Sequence, residues 1–209
     1  MLSIAFAIIT FYGQNAGNFV ISVDSAARIR GITISETPTF EQQLSRLLTE
    51  PIEAARDVTY TWLKRDEVSQ TNGSYHDVDH EYVAYTFYIQ NSGSETLDVT
   101  YYIRITDAYS GIEDAIRVLI IEDGTETMYM KPDEIAPGED EPFYPELMPS
   151  AAPFLSESMV MRKTFENFKP GQIKKFSLLV WLEGYDPDTD DDIIGARIRM
   201  TMNFTINEF

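Results

Sequence analysis

Cysteine is absent from the 209 residues. That excludes disulfides, thiolate metal sites and a cysteine nucleophile, and leaves the redox compartment undecided. Basic residues are scarce, 16 Lys and Arg against 34 Asp and Glu, and the formal charge is −18. A surface so negative repels phosphate, which argues against nucleic acid as a partner. Histidine occurs only at His76 and His80. The G-x-S-x-G elbow, the phosphate-cradling G-x-x-x-x-G-K-[ST], the dinucleotide G-x-G-x-x-G after a strand and the metalloprotease H-E-x-x-H are all missing, and with them the motifs that would announce an enzyme. Order is not what the chain lacks: 44% of it is hydrophobic and 12% aromatic, enough apolar surface to offset the entropy of folding.

The charge-free run Leu2 to Tyr12, LSIAFAIITFY, ends at a Gly/Asn-rich break, GQNAGN. It falls short of the roughly 20 apolar residues that span a bilayer, and the first basic residue is Arg28, too late for the basic flank of a secretory signal. The run reads either as the end of a signal anchor or as a buried element of the domain. An apolar run closed by a Gly/Asn break favours the anchor over residues 1–17.

Beyond it, alternation at period two recurs in Asn18–Asp24, Asp57–Leu63, Glu81–Gln90, Thr96–Thr106, Val118–Glu122, Thr125–Met130, Met159–Phe165, Ile173–Leu182 and Arg197–Asn207, all rich in Val, Ile, Thr, Tyr and Phe. This pattern predicts an all-β antiparallel β-sandwich, Ig-like or jelly-roll-like, with a few short helices. Asn91-Ser92-Gly93-Ser94 reads as a hairpin loop, Asp123-Gly124 as a tight turn, and Pro170-Gly171 as the break before the longest apolar strand. Phe40–Leu48, opened by Thr39 as N-cap, and Ile112–Arg117 are the helical candidates. Residues 131–153 carry six prolines and six acids, too many fixed φ angles and missing donors for a strand. One domain over 18–209 with a long acidic, proline-rich loop at 131–153 is therefore expected.

The segments FYGQNAGNFVISVDSAARIRGITISET, YVAYTFYIQNSGSETLDVTYYIRIT and FKPGQIKKFSLLVWLEGYDPDTDDDIIGARIRMTMNF resemble a family of uncharacterised membrane-anchored surface proteins of Gram-positive-type bacteria. That family is in turn distantly similar to the camelysin and TasA group, whose β-sandwich domains can polymerise into matrix fibres. The stretch WLEG-x-DPD-x-x-DD, here Trp181 to Asp192, is the most specific part of the likeness. The resemblance implies a β-sandwich held at the cell membrane with the bulk of the chain extracellular.

Five aspartates fall between Asp186 and Asp192. Asp186, Asp188, Asp190 and Asp192 alternate as calcium ligands do at the start of an EF-hand, but the glycine at position six and glutamate at position twelve are missing in both registers. The bland account is an acidic turn in which Asp side chains accept from nearby amides and Asp190 to Asp192 start a short turn ending at Gly195. The turn is the reading carried forward; calcium through those four aspartates is the alternative, and no other cofactor is expected. His76 and His80, with Asp77 and Asp79 between them, would suit a transition metal only on a helix, and the neighbouring Asn72-Gly73 and the strand from Glu81 favour an exposed polar loop. Trp62 and Trp181 could stack on sugars, yet both sit in alternating runs that point to the core. The function expected is a non-enzymatic surface protein acting in adhesion, scaffolding or matrix assembly, associating with itself or with envelope components and with the membrane through its N-terminal segment. A calcium- or carbohydrate-binding module is the alternative.

Overall fold

A computed structural model describes residues 19–52, 55–132 and 150–206. The apolar run Leu2 to Tyr12 and most of the 131–153 segment lie outside the described residues. Along the chain run β1 (Phe19–Val23), α1 (Ser25–Ile29), β2 (Ile32–Ser35), β3 (Arg46–Leu48), β4 (Asp57–Val58), a 3-10 turn (Tyr60–Trp62), α2 (Arg65–Gln70), β5 (Gly73–Ser74), β6 (Val83–Asn91), β7 (Leu97–Tyr109), α3 (Ile112–Ala115), β8 (Ile116–Glu122), β9 (Thr125–Met130), β10 (Ala152–Pro153), β11 (Met159–Phe168), β12 (Ile173–Glu183), a second 3-10 turn (Asp191–Ile193) and β13 (Arg197–Ile206).

The strands form two sheets. One has the order β11-β7-β13-β1-β3; the other has the order β10-β9-β8-β12-β6-β2, with β4 beside β12 and β5 beside β6. An all-β, sandwich-like fold is what the alternating segments predict. The sheets are mixed rather than purely antiparallel, because β1 runs parallel to β13, β4 to β12 and β10 to β9. In each of these pairs the partners are joined by a long excursion, so no tight turn dictates their direction.

Alternation places Phe87 of β6 and Phe176 of β12 on the inner face of one sheet, and Tyr101 of β7 and Phe204 of β13 on the inner face of the other. Phe176 meets Tyr101 edge-on at 5.2 Å and Phe204 at 5.5 Å between ring centroids, while Tyr101 stacks on Phe204 at 5.6 Å. The two contacts of Phe176 cross the gap between sheets, and all three pairs take the offset or edge-to-face geometries that aromatic quadrupoles prefer. The outer face of the larger sheet is covered as well. Val58, Tyr60, Leu63 and Val68 pack on Leu119, Ile121, Leu179 and Trp181, which is why β8 and β12 are buried along most of their length rather than at every second position. The hydroxyl of Thr86 donates to the Val68 carbonyl at 2.7 Å and lies 2.7 Å from Ser177 Oγ, tying α2 to that face.

Four local expectations are corrected. Phe40–Leu48 is not a helix: Phe40 has φ 51°, Leu44 bridges to Ile34, and Arg46–Leu48 forms β3 against β1. A nine-residue helix gains little alone, and pairing with the edge of β1 outweighs it. Of Asp57–Leu63 only two residues are strand; the rest turns over to cover β12. Helix α3 ends at Ala115, and Ile116 and Arg117 belong to β8. Asn91-Ser92-Gly93-Ser94 is not a hairpin, since β6 and β7 lie in different sheets. It is a corner in which the buried Asn91 amide donates to the carbonyls of Glu95 (2.8 Å) and Phe168 (2.7 Å) while its oxygen accepts from the Gly93 amide at 3.0 Å. Gly93 also passes so close to Arg30 that an added Cβ would sit 2.2 Å from its carbonyl oxygen. By contrast Asp123-Gly124, with φ 48° and 87°, is the tight β8–β9 turn that its sequence announces.

Candidate functional site

The aspartate stretch follows β12 and folds back on it. Trp181 is buried and its indole donates to Glu183 Oε2 at 2.9 Å. The Glu183 carbonyl accepts from the Thr189 hydroxyl at 2.7 Å. The Asp186 carboxylate turns inward, fully buried, and meets the equally buried Arg117 guanidinium of β8 at 2.5 Å. Arg117 and Trp181 are register partners across β8 and β12, so arginine, tryptophan and both acids share the outer face of one sheet beneath the loop. Asp186 Oδ1 also accepts from the Asp188 amide at 2.9 Å, and Asp190 Oδ1 accepts from the Asp192 amide at 2.8 Å. This second bond caps the 3-10 turn Asp191–Ile193. Asp188, Asp190, Asp191 and Asp192 are exposed. Of the four calcium candidates, then, Asp186 faces the protein and the other three face outward, and among the described residues no three His, Asp or Glu side chains gather in a way that would hold a metal ion.

The second cluster surrounds the two histidines. His76 and His80 stand in an irregular loop between β5 and β6, as Asn72-Gly73 and the strand after it lead one to expect. A cleft of about 300 Å³ opens there between the segment after β3 (Thr49 to Ile52), Ser74 to Asp77, and His80 to Ala84. His76 Nε2 meets Glu50 Oε2 at 2.6 Å across its mouth. The Asp77 side chain is fully buried; it receives the Lys64 ammonium at 3.0 Å, the Tyr82 hydroxyl at 3.0 Å and the Asp79 amide at 2.9 Å. Burial pushes the Asp77 carboxyl upward, but these three donors outweigh it and hold the group below its ordinary value. The same pairing, first to Asp77 and then to Asp79, raises Lys64. Trp62, expected in the core, is half exposed and lies against His80 with ring centroids 5.0 Å apart. The turn that replaces the expected strand at Tyr60–Trp62 carries the indole outward. Trp181, two positions before the end of the uninterrupted strand β12, stays inside.

A third cluster joins Tyr60, Arg65 and Glu126. The Tyr60 hydroxyl donates to Glu126 Oε2 at 2.7 Å and Arg65 Nη1 to the same carboxylate at 2.8 Å, with the guanidinium over the Tyr60 ring. Burial, then the Glu126 bond, push the Tyr60 phenol up to about 12.

What fold and clusters define is a mixed-sheet, sandwich-like all-β domain whose polar groups are mostly bound to one another. No family model and no curated protein matches the sequence. Two crystal structures of a beta-glucosidase from Kluyveromyces marxianus, one Se-Met labelled and one in complex with glucose, are 12% and 10% identical over 82% of this chain, with TM-scores of 0.23 and 0.25. The chain spans 16% and 15% of the length of those chains. Likenesses at that TM-score carry no argument about this protein.

Proposed function

We propose that the chain is a non-enzymatic surface module, held at the cell membrane through its N-terminal segment with its bulk outside, and acting in adhesion, scaffolding or matrix assembly. The observation that supports this reading is where its reactive-looking groups go. Asp186 is bound to Arg117, Glu183 to the Trp181 indole, Asp77 to Lys64 and Tyr82, and Glu126 to Arg65 and Tyr60. Acids so engaged hold elements together; they are not poised for proton transfer to a substrate. The family resemblance stated for Trp181 to Asp192 supports the address.

Self-association draws support from β11. Among the described residues this ten-residue strand pairs with β7 on one side and ends its sheet on the other. It carries Arg162, Lys163 and Glu166 and shifts register twice, devices that discourage indiscriminate edge pairing and leave room for a matched partner. Size-exclusion chromatography and negative-stain electron microscopy over a concentration series test the reading: oligomers or fibres that grow with concentration are expected. A strict monomer at every concentration refutes the assembly role.

A further inference from the structure

We propose that the His76–His80 cleft, with Trp62 at its rim, binds a neutral pyranose unit. The inference deepens the adhesion reading by naming a ligand class. It begins with Trp62, an indole half open to solvent in a protein that buries its other tryptophan completely. The ring is held in place: His80 lies against it at 5.0 Å with 30° between the planes, and His80 itself lines the cleft. Trp62 thus adjoins the concave site through His80, which lines it. At about 300 Å³ the cleft is at the small end of the range for ligand sites, a size for one or two sugar rings.

The walls match a polyhydroxylated ligand. Glu50 and Glu81 supply carboxylate acceptors, Ser74 a hydroxyl that both donates and accepts, and His76 a ring nitrogen of either character. His76 and Glu50 already meet each other at 2.6 Å, and a sugar can add hydroxyls to that pair and to Glu81 and Ser74 while offering the flat C–H face of its ring to an indole. Charge narrows the class. Glu50, Asp77 and Glu81 line the cleft and the whole chain carries −18, so uronic and sialic acids are repelled while neutral and N-acetylated sugars are not. The fixed elements agree with a preformed site, because Lys64, bonded to both Asp77 and Asp79, pins the loop between the histidines to the start of α2.

The full chain is titrated by isothermal calorimetry with methyl β-glucoside, methyl β-galactoside and N-acetylglucosamine, with glucuronic acid as the charged counterpart. Saturable binding of at least one neutral sugar is expected, with none for glucuronic acid. Trp62→Ala should weaken it about tenfold, as befits loss of one stacking contact, and Trp62→Phe should retain most of it. Melting scans check that each variant is folded; His76→Ala and Glu81→Gln, both at exposed positions, serve if Trp62→Ala is not, and each should weaken binding severalfold. Absence of binding by all three neutral sugars, equal binding of glucuronic acid, or unchanged affinity in Trp62→Ala, or in both His76→Ala and Glu81→Gln where that variant does not fold, overturns the proposal. None of these results bears on assembly, which the concentration series reads separately.

Discussion

Replacing Asp186 by alanine strips the Arg117 guanidinium of its carboxylate partner in a place that water does not reach. Both side chains are completely buried and 2.5 Å apart, and Arg117 is held between β9 and β12 in the middle of the larger sheet. Breaking a buried pair from one side costs about 3 to 5 kcal/mol, because the remaining charge is left desolvated. For a chain of this size each kcal/mol moves the melting temperature by roughly 2 to 4 °C, so a fall of about 6 to 20 °C is expected. Urea unfolding followed by tryptophan fluorescence gives the free energy directly, since Trp181 sits beside Arg117 in register. The paired replacement Arg117→Met with Asp186→Leu should recover most of the loss, as apolar substitutes for buried ion pairs commonly do. A loss below about 1 kcal/mol for Asp186→Ala would refute the reasoning and show that water or a rearranged loop satisfies Arg117.

Trp181→Ala should cost about 3 to 5 kcal/mol in the same urea assay, the usual range for truncating a buried aromatic. Asn91→Ala removes a buried amide that bonds Glu95, Phe168 and Gly93, and should destabilise by about 1 to 3 kcal/mol in urea unfolding. Millimolar calcium should shift the melting temperature no more than sodium chloride of the same ionic strength; a larger shift that disappears in Asp188→Asn with Asp190→Asn would establish a calcium site at the acidic turn. Tyr60 and Tyr75 are pushed up to about 12 by burial and by their bonds to Glu126 and Glu67. A phenol whose pKa is raised in the folded state contributes stability that is full below its unfolded value near 10 and is lost as pH rises through about 12. Absorbance titration at the phenolate band should therefore show these groups ionising later in native protein than in urea, with stability falling above pH 10; coincident curves would contradict the burial.

Strand positions were legible because each sheet has one face on a common core, so period two survives in β1, β7 and β13. What the alternation did not reveal is which sheet a strand joins. Asn91 to Ser94 has the composition of a hairpin loop, and only the long-range bond from Asn91 to Phe168 turns it into a corner. The run Asp57 to Leu63 alternates like a strand, yet Tyr60 and Leu63 face inward as a cover laid over β12 while Trp62 escapes to solvent. The turn chemistry of Asp186 to Asp192 was readable from Asp-Pro and from spacing-two acids, since Asx bonds are local. The Arg117 partner was not, being 69 positions away (186 − 117) and hidden in an apolar strand. Within Trp181 to Asp188, Trp181, Glu183 and Asp186 are buried on the covered outer face of the larger sheet, while Leu182 points into the core between the sheets.

The parallel neighbours β1 and β13 bear on how the domain responds to tension. Five consecutive positions pair, from Phe19 with Met200 to Val23 with Phe204. A pull at Phe19 against one at Ile206 drags the two strands along their lengths in opposite directions, so the slanted bonds between them are sheared together instead of being peeled one after another. Each strand is also gripped on its far side, β13 by ten positions of β7 and β1 by β3. Extension between those ends must break a block of bonds at once, which makes the unfolding rate under force, rather than equilibrium stability, the property that this arrangement protects.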